Sequence, residues 1–150
     1  MTAFLPAMQF GVPPWFFDDE TNTICKNHVE IHRKLNAYIR ELPLDGSPII
    51  RPMWWLEPDA ASKIFQINDQ FLVGGDILVA PVLAPGLTER EVYIPKGQWV
   101  YNKESGKGCT LEGPITKNFT LQLQTIPYFT RLEHHLKNYK DSVQEIASCE

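Results

Sequence analysis

The sequence has few cysteines, and the three that it has are not spaced as a recognisable site. Cys25, Cys109 and Cys149 are an odd number at wide and irregular intervals. Such spacing predicts neither a disulfide framework nor a CxxC metal site. The cysteines therefore indicate little about the compartment in which the protein works.

Long apolar runs and an excess of basic charge are also missing. No stretch approaches the roughly 20 apolar residues that cross a bilayer, and residues 1–6 lack the basic start of a signal peptide. If the protein is secretory, its targeting signal lies outside this sequence. The net charge of -4, from 14 basic and 18 acidic residues, leaves no basic face for nucleic acid. We therefore expect no membrane segment in this chain and no nucleic-acid partner.

Sequence motifs for nucleotide, acyl-transfer and metal chemistry are absent as well. There is no P-loop, no G-x-G-x-x-G and no G-x-S-x-G. His28 and His32 are four residues apart, but Glu30 does not follow the first histidine directly as the zincin pattern requires. His134 and His135 are adjacent and would lie on different faces of a helix. We predict packing for His28, no metal site and no cofactor.

What the sequence does contain is an ordinary globular composition, 43% hydrophobic and 21% charged, whose hydrophobic period changes along the chain. Residues 4–10 predict a strand, which Gly11, Pro13 and Pro14 end in a loop. Residues 19–42 predict an amphipathic helix, because apolar side chains recur every three or four positions: Ile24, His28, Ile31, Leu35, Tyr38, Ile39 and Leu42. A single βα unit of this kind cannot bury its own apolar faces, so it implies missing neighbours.

The second half of the sequence predicts short strands separated by turns. The turn signals are residues 74–76, 85–86, 95–97, 106–108 and 113–114, which are rich in glycine and proline. The strands are expected at residues 49–55, 70–73, 77–83, 91–94, 98–101, 120–124 and 128–131. Strands at this spacing favour an antiparallel β-sandwich, followed by a terminal helix or tail over residues 132–150.

Carboxylates that could form an acid and base pair are present but stand at turns. Glu57, Asp59 and Asp69 each lie beside a predicted strand end, where acidic side chains commonly accept hydrogen bonds from the backbone. A structural role is the preferred interpretation for all three. Glycosidic cleavage would need two such groups, one to donate a proton and one to attack or to activate water.

Aromatic residues form the more suggestive pattern. Trp15 follows Pro13 and Pro14 in a predicted loop, where a flat ring can face the apolar side of a sugar. Trp54 and Trp55 lie in an apolar predicted strand, so we expect them in the core. Asn118 opens the N-x-[ST] triplet Asn-Phe-Thr, a glycosylation acceptor if the chain enters the secretory pathway.

Several ordered segments together resemble a known enzyme family. They read GSPIIRPMWW at residues 46–55, DQFLVG at 69–74, ILVAPV at 77–82, EVYIPKGQW at 91–99 and IPYFTR at 126–131. This series is similar to the end of the catalytic domain and the proximal C-terminal domain of family 31 glycoside hydrolases. FLPAMQF at 4–10 with PPW at 13–15 is most similar to the myogenesis-regulating glycosidase branch.

The resemblance implies a specific architecture and chemistry. It implies an α+β fragment, in which residues 1–62 are the last βα unit of a (β/α)8 barrel and residues 63–131 an antiparallel β-sandwich. It implies retaining hydrolysis of an α-glucoside or α-galactoside by two aspartates upstream of Met1, so this chain alone would carry no catalytic residue. An oligosaccharide or glycoside substrate would be the partner, and the setting would be the secretory pathway, compatible with a membrane anchor upstream.

The resemblance also assigns candidate substrate contacts and shows where this sequence departs from the family. Many members carry R-x-H where this sequence has Gln9, Phe10 and Gly11. Gln9 and Phe10, with Trp15, are therefore the candidate substrate-binding residues, and the preferred sugar is left open. Two alternatives also stay open: a non-catalytic glycan-binding or scaffold module, and a degenerate paralogue that only contacts other proteins.

Overall fold

A computed structural model describes residues 2–58, 64–102, 108–121, 126–133 and 149. The chain divides into two compact units, Met1–Ile50 and Arg51–Glu150. Within the described residues, no helix is both long enough and apolar enough to cross a membrane.

The first unit is built on one long helix, α1, at Asp19–Glu41. Asp18 caps it, because its carboxylate accepts a hydrogen bond from the Thr21 amide at 2.7 Å. Leu35 and Ile39 are its buried residues, four apart on one face. The predicted helix is confirmed.

The prediction of a strand at residues 4–10 was wrong. A short 3-10 helix occupies Thr2–Phe4, and a second one, Pro14–Phe16, precedes α1. A strand needs a neighbour to satisfy its backbone hydrogen bonds, and Pro6 has no amide to donate. Ala3 and Phe4 are buried instead, and the Ala3 carbonyl lies 3.0 Å from His32 Nδ1.

An antiparallel sheet lies in the second unit, except that its first strand begins at Ile50, the last residue of the first unit. Its strands are β1 at Ile50–Arg51, β2 at Phe71–Val73, β3 at Ile77–Val79, β4 at Glu89–Tyr101, β5 at Cys109–Thr120 and β6 at Tyr128–Arg131. The order across the sheet is β1-β2-β3-β6-β4-β5, so β5 is an edge strand among the strands of the described residues. Gly74, at φ +60°, allows the tight turn that pairs Val73 with Ile77.

The second unit has buried side chains on both faces of this sheet, because the successive residues Leu72 and Val73 of β2, and all of β3, are fully buried. Its main apolar cluster lies around β4 and β6. It includes Trp99, whose indole N–H donates to the Pro95 carbonyl at 2.9 Å, and Phe129, which packs edge-on against Phe119 at 5.1 Å. The cluster is Met53, Ile64, Leu72, Leu78, Ala80, Val92, Ile94, Trp99, Leu111, Phe119 and Phe129. Burial of each large apolar side chain contributes about 1.5–3 kcal/mol, so these residues hold the sheet in register.

The longest strand pair differs from the sequence expectation. The strands predicted at 91–94 and 98–101 form one strand, β4, with a bulge between Ile94 and Gly97. Gly113 and Pro114 lie inside β5 and not at a turn. An edge strand tolerates proline, because the missing amide removes no ladder bond from a central position. The strand expected at 120–124 lies mostly outside the described residues, as do Asp59 and most of residues 132–150.

The expected core position of Trp54 and Trp55 was also wrong. Pro52 follows β1, and a 3-10 helix at Met53–Trp55 replaces the rest of the predicted strand. This turn buries Met53 completely and leaves the two tryptophans 37% and 39% exposed. Trp54 stacks on Phe65 with ring centroids 6.1 Å apart.

Candidate functional site

The candidate substrate-binding residues all lie in the first unit, in the segment that precedes α1. Gln9 is exposed, Phe10 is 39% exposed and Trp15 is 74% exposed. The 3-10 helix at Pro14–Phe16 carries Trp15 on its exposed surface, and the Phe17 amide closes it on the Pro14 carbonyl at 3.0 Å. We name residues 9–17 the aromatic segment.

Trp15 is followed by two further exposed rings in the same segment. Phe16 is 74% exposed and Phe17 is 53% exposed, and the Trp15 and Phe16 rings lie 6.5 Å apart with planes tilted by 39°. Exposed rings in one short segment form an apolar patch larger than scattered surface residues produce. The available signal was the run of three aromatic residues directly after two prolines.

The carboxylates considered for acid and base chemistry have structural partners. Glu57 accepts hydrogen bonds from the Lys96 amide at 2.7 Å and from the Tyr93 hydroxyl at 3.0 Å. Burial, together with the contact to Glu57, raises the pKa of Tyr93 to about 12. Asp69 pairs with Arg90 at 3.0 Å, where the Arg90 side chain is almost fully buried. Glu57 and Asp69 thus anchor loops to β4, as the structural interpretation predicted.

The histidines of α1 are arranged for packing and backbone contact. His28 is half-buried, and burial lowers its pKa. Its Nε2 atom has no hydrogen-bond partner among the described residues. Within the same part of the chain, no three His, Cys, Asp or Glu side chains are grouped closely enough to hold a metal ion.

An open groove of about 1190 Å³ in the second unit was not foreseen from the sequence. Its lining includes Asp69, Gln70, Glu89, Arg90 and Tyr93. The Gln70 side chain exchanges two hydrogen bonds with the Tyr93 backbone, at 2.9 and 3.0 Å, so it is occupied in holding the strand. Among the described residues that line the groove, Tyr93 is the one aromatic residue, whereas the aromatic segment offers several. Since flat rings pack well on sugars, the aromatic segment is the better candidate site.

Asn118 and the cysteines lie in the second unit. Asn118 is exposed on β5. Cys109 and Cys149 form a disulfide, which corrects the expectation of no disulfide framework, and Cys25 is free. The pairing depends on the chain returning to β5, where the Cys149 amide donates to the Thr110 carbonyl at 2.9 Å. Sequence spacing alone could not reveal that return.

Comparisons with known proteins agree with this fold. The family model described as glycosyl hydrolase family 31 C-terminal domain matches residues 46–134. A myogenesis-regulating glycosidase from Mus musculus is 37% identical over 87% of this chain, and an alpha-glucosidase 2 from Bacillus thermoamyloliquefaciens is 31% identical over 79%. The chain spans only 18% and 15% of the lengths of these two relatives.

Solved structures give the same picture. A family 31 dextranase from Flavobacterium johnsoniae, complexed with isomaltotriose, is 33% identical and superposes with a TM-score of 0.72. The match covers 81% of this chain and 15% of the dextranase. The antiparallel sheet matches the β-sandwich-like C-terminal domain of such enzymes, and the predicted resemblance is confirmed. This chain belongs to glycosyl hydrolase family 31.

Proposed function

We propose that this chain is the C-terminal part of a retaining α-glycosidase that hydrolyses the O-glycosyl bonds of an α-glucoside or α-galactoside. The proposal is supported by family membership and by relatives named alpha-glucosidase and dextranase. Because the chain matches less than a fifth of those relatives, the rest of the machinery would lie elsewhere in a longer protein.

In this proposal the first unit contributes a helix and a loop to a (β/α)8 barrel. Helix α1 would pack in the outer ring, and the aromatic segment would form one of the loops that face the substrate. The observation that carries the proposal is the exposure of Trp15, at 74%, beside Phe16 at the same exposure. Rings left in water in this way favour either a barrel neighbour or a sugar as the partner that covers them.

The chemistry would divide between this chain and the remainder of the barrel. Retention needs two carboxyl groups about 5–5.5 Å apart, one as nucleophile and one as acid and base. We assign these groups to the remainder of the barrel, since Glu57 and Asp69 are engaged with Lys96 and Arg90. The Trp15 ring would pack against the C–H face of a sugar, and the Gln9 amide would bond a hydroxyl.

The test is an activity assay on the intact protein with matched aromatic variants. Trp15→Ala should lower kcat/KM about tenfold, because one aromatic contact contributes about 1.5 kcal/mol. Phe65→Ala is the control, since Phe65 is a 52% exposed ring in the second unit. The control should retain full activity. An unchanged kcat/KM in Trp15→Ala would remove the aromatic segment from the substrate site.

A non-catalytic glycan-binding module is the second candidate. It is favoured by the combination of exposed rings with carboxylates that are already engaged in structural contacts. Saturable binding of an oligosaccharide that is lost in Trp15→Ala, without turnover by the intact protein, would select it over the hydrolase.

We further propose that the protein works in the secretory pathway. Disulfides persist in oxidising compartments and are rare in the cytosol, and the Cys109–Cys149 bridge supports such a setting. Recovery of the intact protein with these two thiols reduced, after rapid alkylation of cells, would contradict it.

A further inference from the structure

At one end of the β4 and β5 ladder, the two strands share a face on which exposed polar side chains lie beside the partly buried Tyr93, at the border of the groove. In the β4 and β5 ladder, Glu91 lies opposite Asn118 and Glu89 lies opposite Thr120. We call the polar face the set Glu89, Glu91, Thr116, Asn118 and Thr120, all of which are exposed. Interfaces between domains have a core that is depleted in charge and enriched in aromatic residues. The five side chains of the polar face include two carboxylates and no aromatic ring, which is the composition of a surface in contact with water.

The one N-x-[ST] triplet in the sequence lies on this face. Asn118 and Thr120 are two residues apart in β5, so their side chains point to the same side of the sheet. Phe119, between them, points into the core and is 6% exposed. The two side chains that define a glycosylation acceptor are thus the two that the fold leaves in solvent.

We propose that Asn118 carries an N-linked glycan and that the polar face remains solvent-exposed in the whole protein. The Asn118 amide nitrogen, Nδ2, would attack the anomeric carbon of an oligosaccharide carried on a polyprenyl diphosphate. A carbon–nitrogen bond forms, and the bond from that carbon to the diphosphate oxygen breaks. The diphosphate leaves with the electron pair, and the amide loses one proton to solvent.

The fold accommodates this modification without rearrangement. Transfer occurs on extended chain, and the product must then fold with a bulky, hydrated group at residue 118. Exposure of Asn118 on an edge strand lets the glycan extend into solvent while Phe119 still enters the core. The Cys109–Cys149 disulfide, which involves the first residue of the same strand, independently favours the compartment in which this transfer takes place. The proposal rests on that compartment and not on glycosidase activity.

The experiment compares the intact protein with four variants, all recovered from the cells that produce it. Treatment with a peptide N-glycosidase should increase gel mobility and convert Asn118 to aspartate in the peptide mass spectrum. Asn118→Gln and Thr120→Ala should each abolish the residue-118 glycan. Thr120→Ser, which keeps the acceptor triplet, and Thr116→Ala, an exposed threonine on the same face outside it, should both retain it.

The outcomes separate this proposal from the proposed function. An unmodified Asn118 in protein whose Cys109–Cys149 bridge is formed would overturn the proposal, and so would an unmodified Asn118 in protein that retains free thiols. A glycan at residue 118 on a protein without hydrolase activity would support the glycan proposal and refute the proposed glycosidase function. A sequon that is occupied only in misfolded, protease-sensitive protein would refute the claim that the polar face stays exposed.

Discussion

Removal of the Cys109–Cys149 disulfide should destabilise the second unit by an amount that follows from the loop it closes. The two cysteines are 40 residues apart in sequence. In the chain-entropy relation, a cross-link over that separation lowers the entropy of the unfolded chain enough to contribute about 4 kcal/mol at 25 °C. Cys109 is buried, and Cys149 packs against the core cluster, so no compensating gain in hydration is expected.

The assay is urea unfolding of the Cys109→Ala, Cys149→Ala double variant, followed by circular dichroism. Its free energy of unfolding should fall by about 4 kcal/mol, and reduction of the wild-type protein should produce the same loss. Hydrogen exchange should locate the loss in β5, where Cys149 N–H bonds to Thr110 and Lys117 Nζ bonds to the Cys149 carbonyl.

Cys25→Ala is the matched control, because Cys25 is a free, partly buried thiol in the first unit. It should change the free energy of unfolding by less than about 1 kcal/mol. A loss below about 1 kcal/mol in the double variant, or an equal loss in Cys25→Ala, would refute the reasoning.

Three further predictions test the packing of each unit. Glu57→Gln should lower the pKa of Tyr93 from about 12 part of the way toward 10, since burial is the larger cause and remains, as a titration of phenolate absorbance would show. The free energy of unfolding should fall as the pH drops below 6.5, because His28 takes up a proton at a higher pH in the unfolded chain than in the folded one. His28→Leu should flatten that dependence in thermal melts. Gly113→Ala should cost about 3 kcal/mol in urea unfolding, because its Cβ would overlap the Pro95 and Ile94 carbonyls, whereas Gly11→Ala meets nothing within 4 Å and should be nearly neutral.

The parts of the fold that were predictable from sequence are those that local rules determine. Helix α1 follows from its apolar period and its acidic start, and the Gly74 turn sets the pairing of β2 with β3. The prediction of a strand at residues 4–10 was wrong because a strand is stable only when it pairs with another strand. Hydrophobic periodicity does not show whether such a partner is present. The predicted core position of Trp54 and Trp55 was wrong because Pro52, directly after Arg51, ends the strand.

Only some features of the candidate site could likewise be predicted from the sequence. Trp15 could be singled out because two prolines place it in a loop, and the structure leaves it exposed. The disulfide depends on a return of the chain over 40 residues, and the groove depends on side chains from separate loops. Both the disulfide and the groove result from tertiary packing, which cannot be predicted from the spacing of residues along the sequence. The polar face could be predicted in part, because the alternation of side chains along β5 indicates which of them share a face once the strand is known.

The most direct test of the central claim is proton NMR of the intact protein acting on an α-glucoside and on an α-galactoside. A retaining α-glycosidase releases the α-anomer first, before mutarotation. We predict hydrolysis of one of the two substrates with initial α-anomer and about tenfold lower kcat/KM in Trp15→Ala. Absence of hydrolysis, or initial release of the β-anomer, would contradict the account.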